Sequence, residues 1–179
     1  MAKDFVKRVL ELASVSQPKQ APTPKAWDAA EADLGVRLPS DFKTIVSGLG
    51  EGHFGVGLAL RNPSSSSEYL QLSRKALLDF REDVSDAEES SGVSLYPNDD
   101  GLVVIAGIDR QQFLAGPDAS KPEGYQLVWW DLDYERARDL NRSFAEFVCE
   151  LYAGRIDEDW AAELRDYIWR GGKAPFFTP

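Results

Sequence analysis

The residues able to do chemistry are few and scattered along the chain. His53 is the single histidine and Cys149 the single cysteine. Any Ser-His-Asp or Cys-His arrangement would have to use that histidine. No G-x-S-x-G elbow and no cysteine-enzyme signature accompanies it. One histidine and one cysteine also exclude the usual zinc ligand sets. Gly50-Glu51-Gly52-His53-Phe54-Gly55 matches G-x-G-x-x-G, but a dinucleotide site needs that pattern after a strand and before a helix. Here a helix precedes and a strand follows, and Glu51 would repel a phosphate. The segment reads as a flexible turn, with His53 an exposed polar residue. No P-loop is present. Cys149 stands beside Phe147 and Val148 and reads as a packing residue. No catalytic residue, cofactor or metal ligand is assigned.

The carboxylates are the other chemical resource. Asp99 and Asp100 are paired ahead of an apolar strand, as acid–base or cation-binding carboxylates can be. Asn98-Asp99-Asp100-Gly101 is also ordinary turn chemistry, and it lacks EF-hand spacing. Residues 82–89 hold a denser run that includes Asp83, Asp86, Glu88 and Glu89. It reads as a solvated loop with the charge to dock a basic surface. Overall, 20 basic against 30 acidic residues give a formal net charge of −10. That balance opposes a sequence-independent grip on nucleic acid, which rests on lysine and arginine at phosphates. It equally opposes an anionic membrane surface, and it suits a basic protein partner.

Elements must hold these groups in place. The 179 residues fit one domain, and 43% apolar content with 5 Trp and 9 Phe can fill a core. Phe5, Val6, Val9, Leu10 and Ala13 recur at helical spacing over residues 4–13. Residues 14–25 contain Pro18, Pro22 and Pro24 and form either a linker or an extended wrap. Thr23 and Pro24 open a second helix with an apolar stripe of Trp27, Ala30 and Leu34, and Gly35 ends it. Pro39 starts a third, with Ser40 and Asp41 near its positive end and Phe42, Ile45, Val46 and Leu49 inward. Glu31 shares the helix of Trp27; it is either a buried functional acid or, the preferred reading, an acceptor for free amides near residues 39–42.

Ser65 and Glu68 form a capping box for a helix carrying Tyr69, Leu72 and Phe80. Residues 102–108 suit a central strand, with residues 111–114 able to pair beside it. Residues 115–124 read as a loop and residues 125–130 as another strand. Trp129 and Trp130 are adjacent there, so they point to opposite faces. One belongs to the core, and the other needs a cover or marks a contact site. Phe144, Phe147, Val148 and Leu151 define a helix, and Trp160, Leu164, Tyr167 and Ile168 define the last. Phe176 and Phe177 either tuck back or engage a partner. Helices, then paired strands, then helices predict an α+β fold.

Trp27, Glu31, Leu34, Gly35, Val36, Leu38, Pro39, Asp41 and Phe42, at this spacing, resemble the N-terminal signature of the SUKH superfamily. This is the group of Smi/Knr-type cell-wall-regulator-like and toxin-immunity domains. Asn62-Pro63, the turn at residues 97–101, the Trp-bearing strand and the helix over residues 143–154 are weaker echoes. The sequence departs from the pattern in lacking a Pro-Trp after Gly101 and in a longer loop before Tyr125. The resemblance implies a single α+β domain. Its mixed, mostly antiparallel sheet would be flanked by N-terminal helices and closed by C-terminal ones. Residues 1–23 would be an N-terminal helix and Pro-rich linker, residues 24–155 the family domain, and residues 156–179 an added helix and tail. It also implies a non-enzymatic protein-binding role, as an immunity protein occluding a toxin domain with a basic surface. Asp83, Asp86, Glu88, Glu89, Asp99 and Asp100 are the expected partner-binding residues. The alternatives are a regulatory or scaffolding domain without a toxin partner, or a small-ligand binder using the loop of residues 50–57. The charged N-terminus has no signal-peptide core and no run approaches the ~20 apolar residues of a membrane span, so a cytoplasmic location is expected.

Overall fold

Amphipathic helices and apolar strands assemble here around one main core. A computed structural model describes residues 2–13, 17–63, 94, 96, 101–109, 111–121, 123–131, 136–169 and 176–177. Three helices come first: α1 (Ala2–Ala13), α2 (Pro24–Leu34) and α3 (Ser40–Leu49). The short strands β1 (His53–Phe54) and β2 (Leu58–Leu60) follow. Next are β3 (Val103–Ile108), β4 (Gln111–Pro117), β5 (Tyr125–Asp131) and β6 (Arg136–Asp139). The chain closes with α4 (Phe144–Tyr152), α5 (Asp159–Ile168) and β7 (Phe176–Phe177). The class is α+β: in chain order the strands lie between N-terminal and C-terminal helices, and in space the two helical groups pack on each other over one face of the sheet.

The sheet runs β6-β5-β4-β3-β2-β1-β7 and every described strand pair is antiparallel. A parallel bridge outside the strands joins Lys19 to Gly50. The register shifts between Val104 and Ala106. This bulge lets Ile105 and Ala106 both join the main core. The Ile105 carbonyl accepts the Arg61 N–H at 2.9 Å.

All the described helices bury apolar residues in that core. Val9 of α1, Trp27 of α2, Phe42 of α3, Phe147 of α4 and Ile168 of α5 meet Phe113 and Trp129 of the sheet there. Leu102, Leu114, Val128 and Trp130 form a smaller buried cluster. Adjacent strand residues face opposite sides, so Trp129 and Trp130 are divided between the two clusters and both are buried.

Local signals hold where they are strongest. Thr23 caps α2, its Oγ1 accepting the Ala26 N–H, and Gly35 ends the helix at φ 70°. The proline-rich segment is a wrap. Its Lys19 carbonyl accepts the Glu51 N–H, and the buried Asn62 donates from Nδ2 to the Gln20 carbonyl. Two expectations fail, at residues 115–117 and in the glycine-rich stretch, and the short strands β6 and β7 add to the predicted elements. Residues 115–117 continue β4 where a loop is predicted, because their backbone pairs with residues 125–127 of β5. The short edge strands β6 and β7 have no apolar alternation to announce them. The glycine-rich stretch is not a flexible turn, since β1 and β2 pair across it. The predicted helix after Ser65 lies outside the described residues.

Candidate partner-binding surface and its supporting site

Two signature carboxylates fix how the elements meet. On α2, Glu31 accepts the Leu38 N–H at 2.8 Å and the Lys43 ammonium at 2.6 Å, both on Oε1. The preferred reading of Glu31 as an acceptor at this corner holds, one residue earlier than expected. Trp27 donates from Nε1 to Ser47 Oγ at 2.9 Å, tying α2 to α3.

Asp41 does something the sequence does not show. It sits in the first turn of α3, but its side chain serves α4. Oδ1 accepts the Tyr125 hydroxyl at 2.8 Å and Oδ2 accepts the Ala145 N–H at 2.8 Å. The Tyr125 oxygen in turn accepts the Phe144 N–H at 3.0 Å, and Ser143 Oγ accepts the Glu146 N–H at 3.2 Å. The free amides at the start of α4 are thus satisfied by side chains from α3, from β5 and from the cap itself. Asp41 is 5% exposed. Burial, then the Asp41 charge, pushes the Tyr125 hydroxyl far above its ordinary range. Both carboxylate oxygens are occupied, so this is a joint between elements.

The other chemical candidates are also held in place. His53 is half-buried in β1, with Nδ1 3.0 Å from the Gly55 carbonyl oxygen. It is therefore not the exposed loop residue expected, because β1 pairs with β2 and β7 on either side. Cys149 is buried, its thiol donates toward the Phe5 carbonyl at 3.5 Å, and burial raises its pKa. Among the described residues no cluster of His, Cys, Asp or Glu could hold a metal ion. No described helix is long and apolar enough to cross a membrane.

The expected partner-binding residues Asp83, Asp86, Glu88, Glu89, Asp99 and Asp100 all lie outside the described residues. A different acidic surface is in view. Asp159, Glu163 and Asp166 are exposed on α5, and Asp157 and Glu158 are exposed just before it. Their i, i+4, i+7 spacing is legible in the sequence as the complement of the apolar stripe Ala161, Leu164 and Ile168.

The inner side of α5 is firmly placed. Trp160 stacks on Trp129 at a centroid distance of 4.3 Å, and Glu158 accepts from Trp160 Nε1 at 2.7 Å and pairs with Arg138. The Ile168 carbonyl accepts the Val56 N–H at 2.7 Å. Gly55 allows that approach: its φ is 55°, and a Cβ there would lie 1.7 Å from the Ile168 oxygen. Phe176 of β7 tucks back and packs edge-on against Phe54 at 5.0 Å.

The signature corner, the antiparallel sheet and the closing helix define a SUKH-type domain. Residues 21–150 match the SMI1 / KNR4 family (SUKH-1), and the chain belongs to that family. No curated protein and no solved structure gives a significant match. Helix α5 and strand β7 lie beyond the matched residues.

Proposed function

We propose that this chain is a non-enzymatic protein-binding domain, an immunity protein that occludes the active or substrate-binding face of a bacterial toxin. The observation that carries the reading is a SUKH-1 scaffold with a formal net charge of −10. An acidic surface on such a scaffold imitates the charge of nucleic acid and steers toward a basic partner. Supporting it, Glu31, Asp41, His53 and Cys149 are tied into the scaffold itself. Asp83, Asp86, Glu88, Glu89, Asp99 and Asp100 are the residues assigned to the partner.

The test is co-purification of the partner from the source cell, followed by calorimetric titration at two salt concentrations. Tight binding to one basic protein, weakening as salt rises, is the expected result. Combined alanine changes at the six assigned residues should weaken it by roughly tenfold without loss of fold. Unchanged affinity across that set removes the placement. Absence of any specific partner moves the reading to a regulatory or scaffolding domain.

A further inference from the structure

A cleft of about 290 Å³ opens where the β4–β5 turn, the connection from β6 to α4, and Phe5 of α1 meet. Its lining is mainly apolar, and the buried rings and chains of Tyr125 and Leu127 reach it together with Phe5. Its rim is charged, and the two signs are in different states.

The cations at the rim are already paired. Lys121 donates to Asp139 Oδ2 at 2.6 Å and to Asn141 Oδ1 at 2.5 Å. Arg142 donates from Nε to the Leu140 carbonyl at 3.0 Å and from its guanidinium to Glu150 at 2.9 Å. Among the described residues, neither the Glu123 nor the Glu146 carboxylate has a hydrogen bond or an ion pair. Glu146 could close a capping box by reaching back to the Ser143 N–H. Only the other half of that box is made, from the Glu146 N–H to Ser143 Oγ. An apolar cleft edged by two unpaired carboxylates, with its own cations neutralised, is complementary to a cation on an apolar stem.

We propose that this cleft receives an arginine side chain presented by a basic protein partner. The guanidinium would donate to Glu123 and Glu146, and its methylene stem would lie along Tyr125 and Leu127. The proposal rests on the immunity reading only for the origin of that arginine.

The test is a titration of the full chain, followed by amide nuclear magnetic resonance, with the peptide acetyl-Gly-Arg-Gly-amide. Its counterpart with citrulline in place of arginine is the neutral control. Saturable shifts at residues 123–127 and 141–146 are expected with the arginine peptide alone, at a dissociation constant on the order of 1 mM. The double substitution Glu123→Gln and Glu146→Gln should weaken it about tenfold. Asp28→Asn, on the exposed side of α2, should leave it unchanged. No saturable shift at those amides, an equal response to citrulline, or indifference to the double substitution overturns the proposal. If the cleft fails while a basic partner is still captured, only the cleft is removed. If the cleft responds while no partner is captured, the cleft stands and the immunity reading falls.

Discussion

The signature corner and the C-terminal extension both bury aromatic rings and both tie off a helix end, but by different means. At the corner, both Asp41 oxygens and Glu31 Oε1 are taken up by amides, Lys43 and Tyr125. In the extension, α5 is held by ring stacking and by a backbone hydrogen bond to Val56, while Asp159 and Glu163 stay in solvent. A carboxylate buried in a joint cannot also meet a partner without breaking the joint. An acid on an outward helix face can. The corner therefore maintains the fold, and the acids available for recognition lie elsewhere.

The sharpest way to break this comparison is at Asp41. Replacing Asp41 with Ala leaves Tyr125 and the Ala145 amide without their acceptor in a buried site. The expected loss is about 3–4 kcal/mol, since each orphaned buried group costs roughly 1–3 kcal/mol. Urea denaturation measures it. A loss under about 1 kcal/mol would mean the joint is not what holds α4.

Gly55 tests the extension. A Val there must displace Ile168, because its Cβ would overlap the carbonyl oxygen. Strain at this φ together with the clash should cost about 3 kcal/mol. Hydrogen exchange should then show α5 opening before the rest of the domain. Uniform loss across the domain would make the extension as integral as the corner.

Trp160→Ala removes the stack on Trp129 and the bond to Glu158. About 2 kcal/mol is expected, with the near-ultraviolet circular dichroism of the stacked pair lost. A cost matching that of Asp41→Ala would erase the distinction between the two regions.

The smallest effect is expected for Tyr125→Phe, about 1–2 kcal/mol near neutral pH. It has its own pH signature. The folded state holds the Tyr125 hydroxyl above its ordinary value, so the unfolded chain loses its proton first. The associated stability is complete below about pH 10 and is lost as pH rises beyond that. The gap between the parent protein and the Phe variant should therefore narrow in alkaline solution. A gap independent of pH would show that Tyr125 acts by shape alone.

Much of the fold is written locally. Thr23, Pro24 and Gly35 state where α2 begins and ends, and the structure shows each in that role. The apolar runs of β3 and β5 are equally plain. The β7 strand is not, because two residues carry no period and its position depends on β1. His53 departs from the expected exposed loop for a related reason. Glycines on both sides imply freedom, but neighbouring strands remove it. The α5 acids are readable from helical spacing, whereas the lack of a partner for Glu123 and Glu146 among the described residues is not.

The helix ends, the buried stripes, the family and the acidic balance can all be read along the chain. Each depends on residue type and on spacing of a few positions, where chain connectivity keeps partners close. The folded arrangement is what makes Asp41 cap a helix 104 residues away, beside a tyrosine 84 residues away. It alone decided that Gly55 meets Ile168, and that Lys121 and Arg142 are neutralised around the cleft. Those outcomes depend on distances through space, which packing of the core sets and no local pattern encodes.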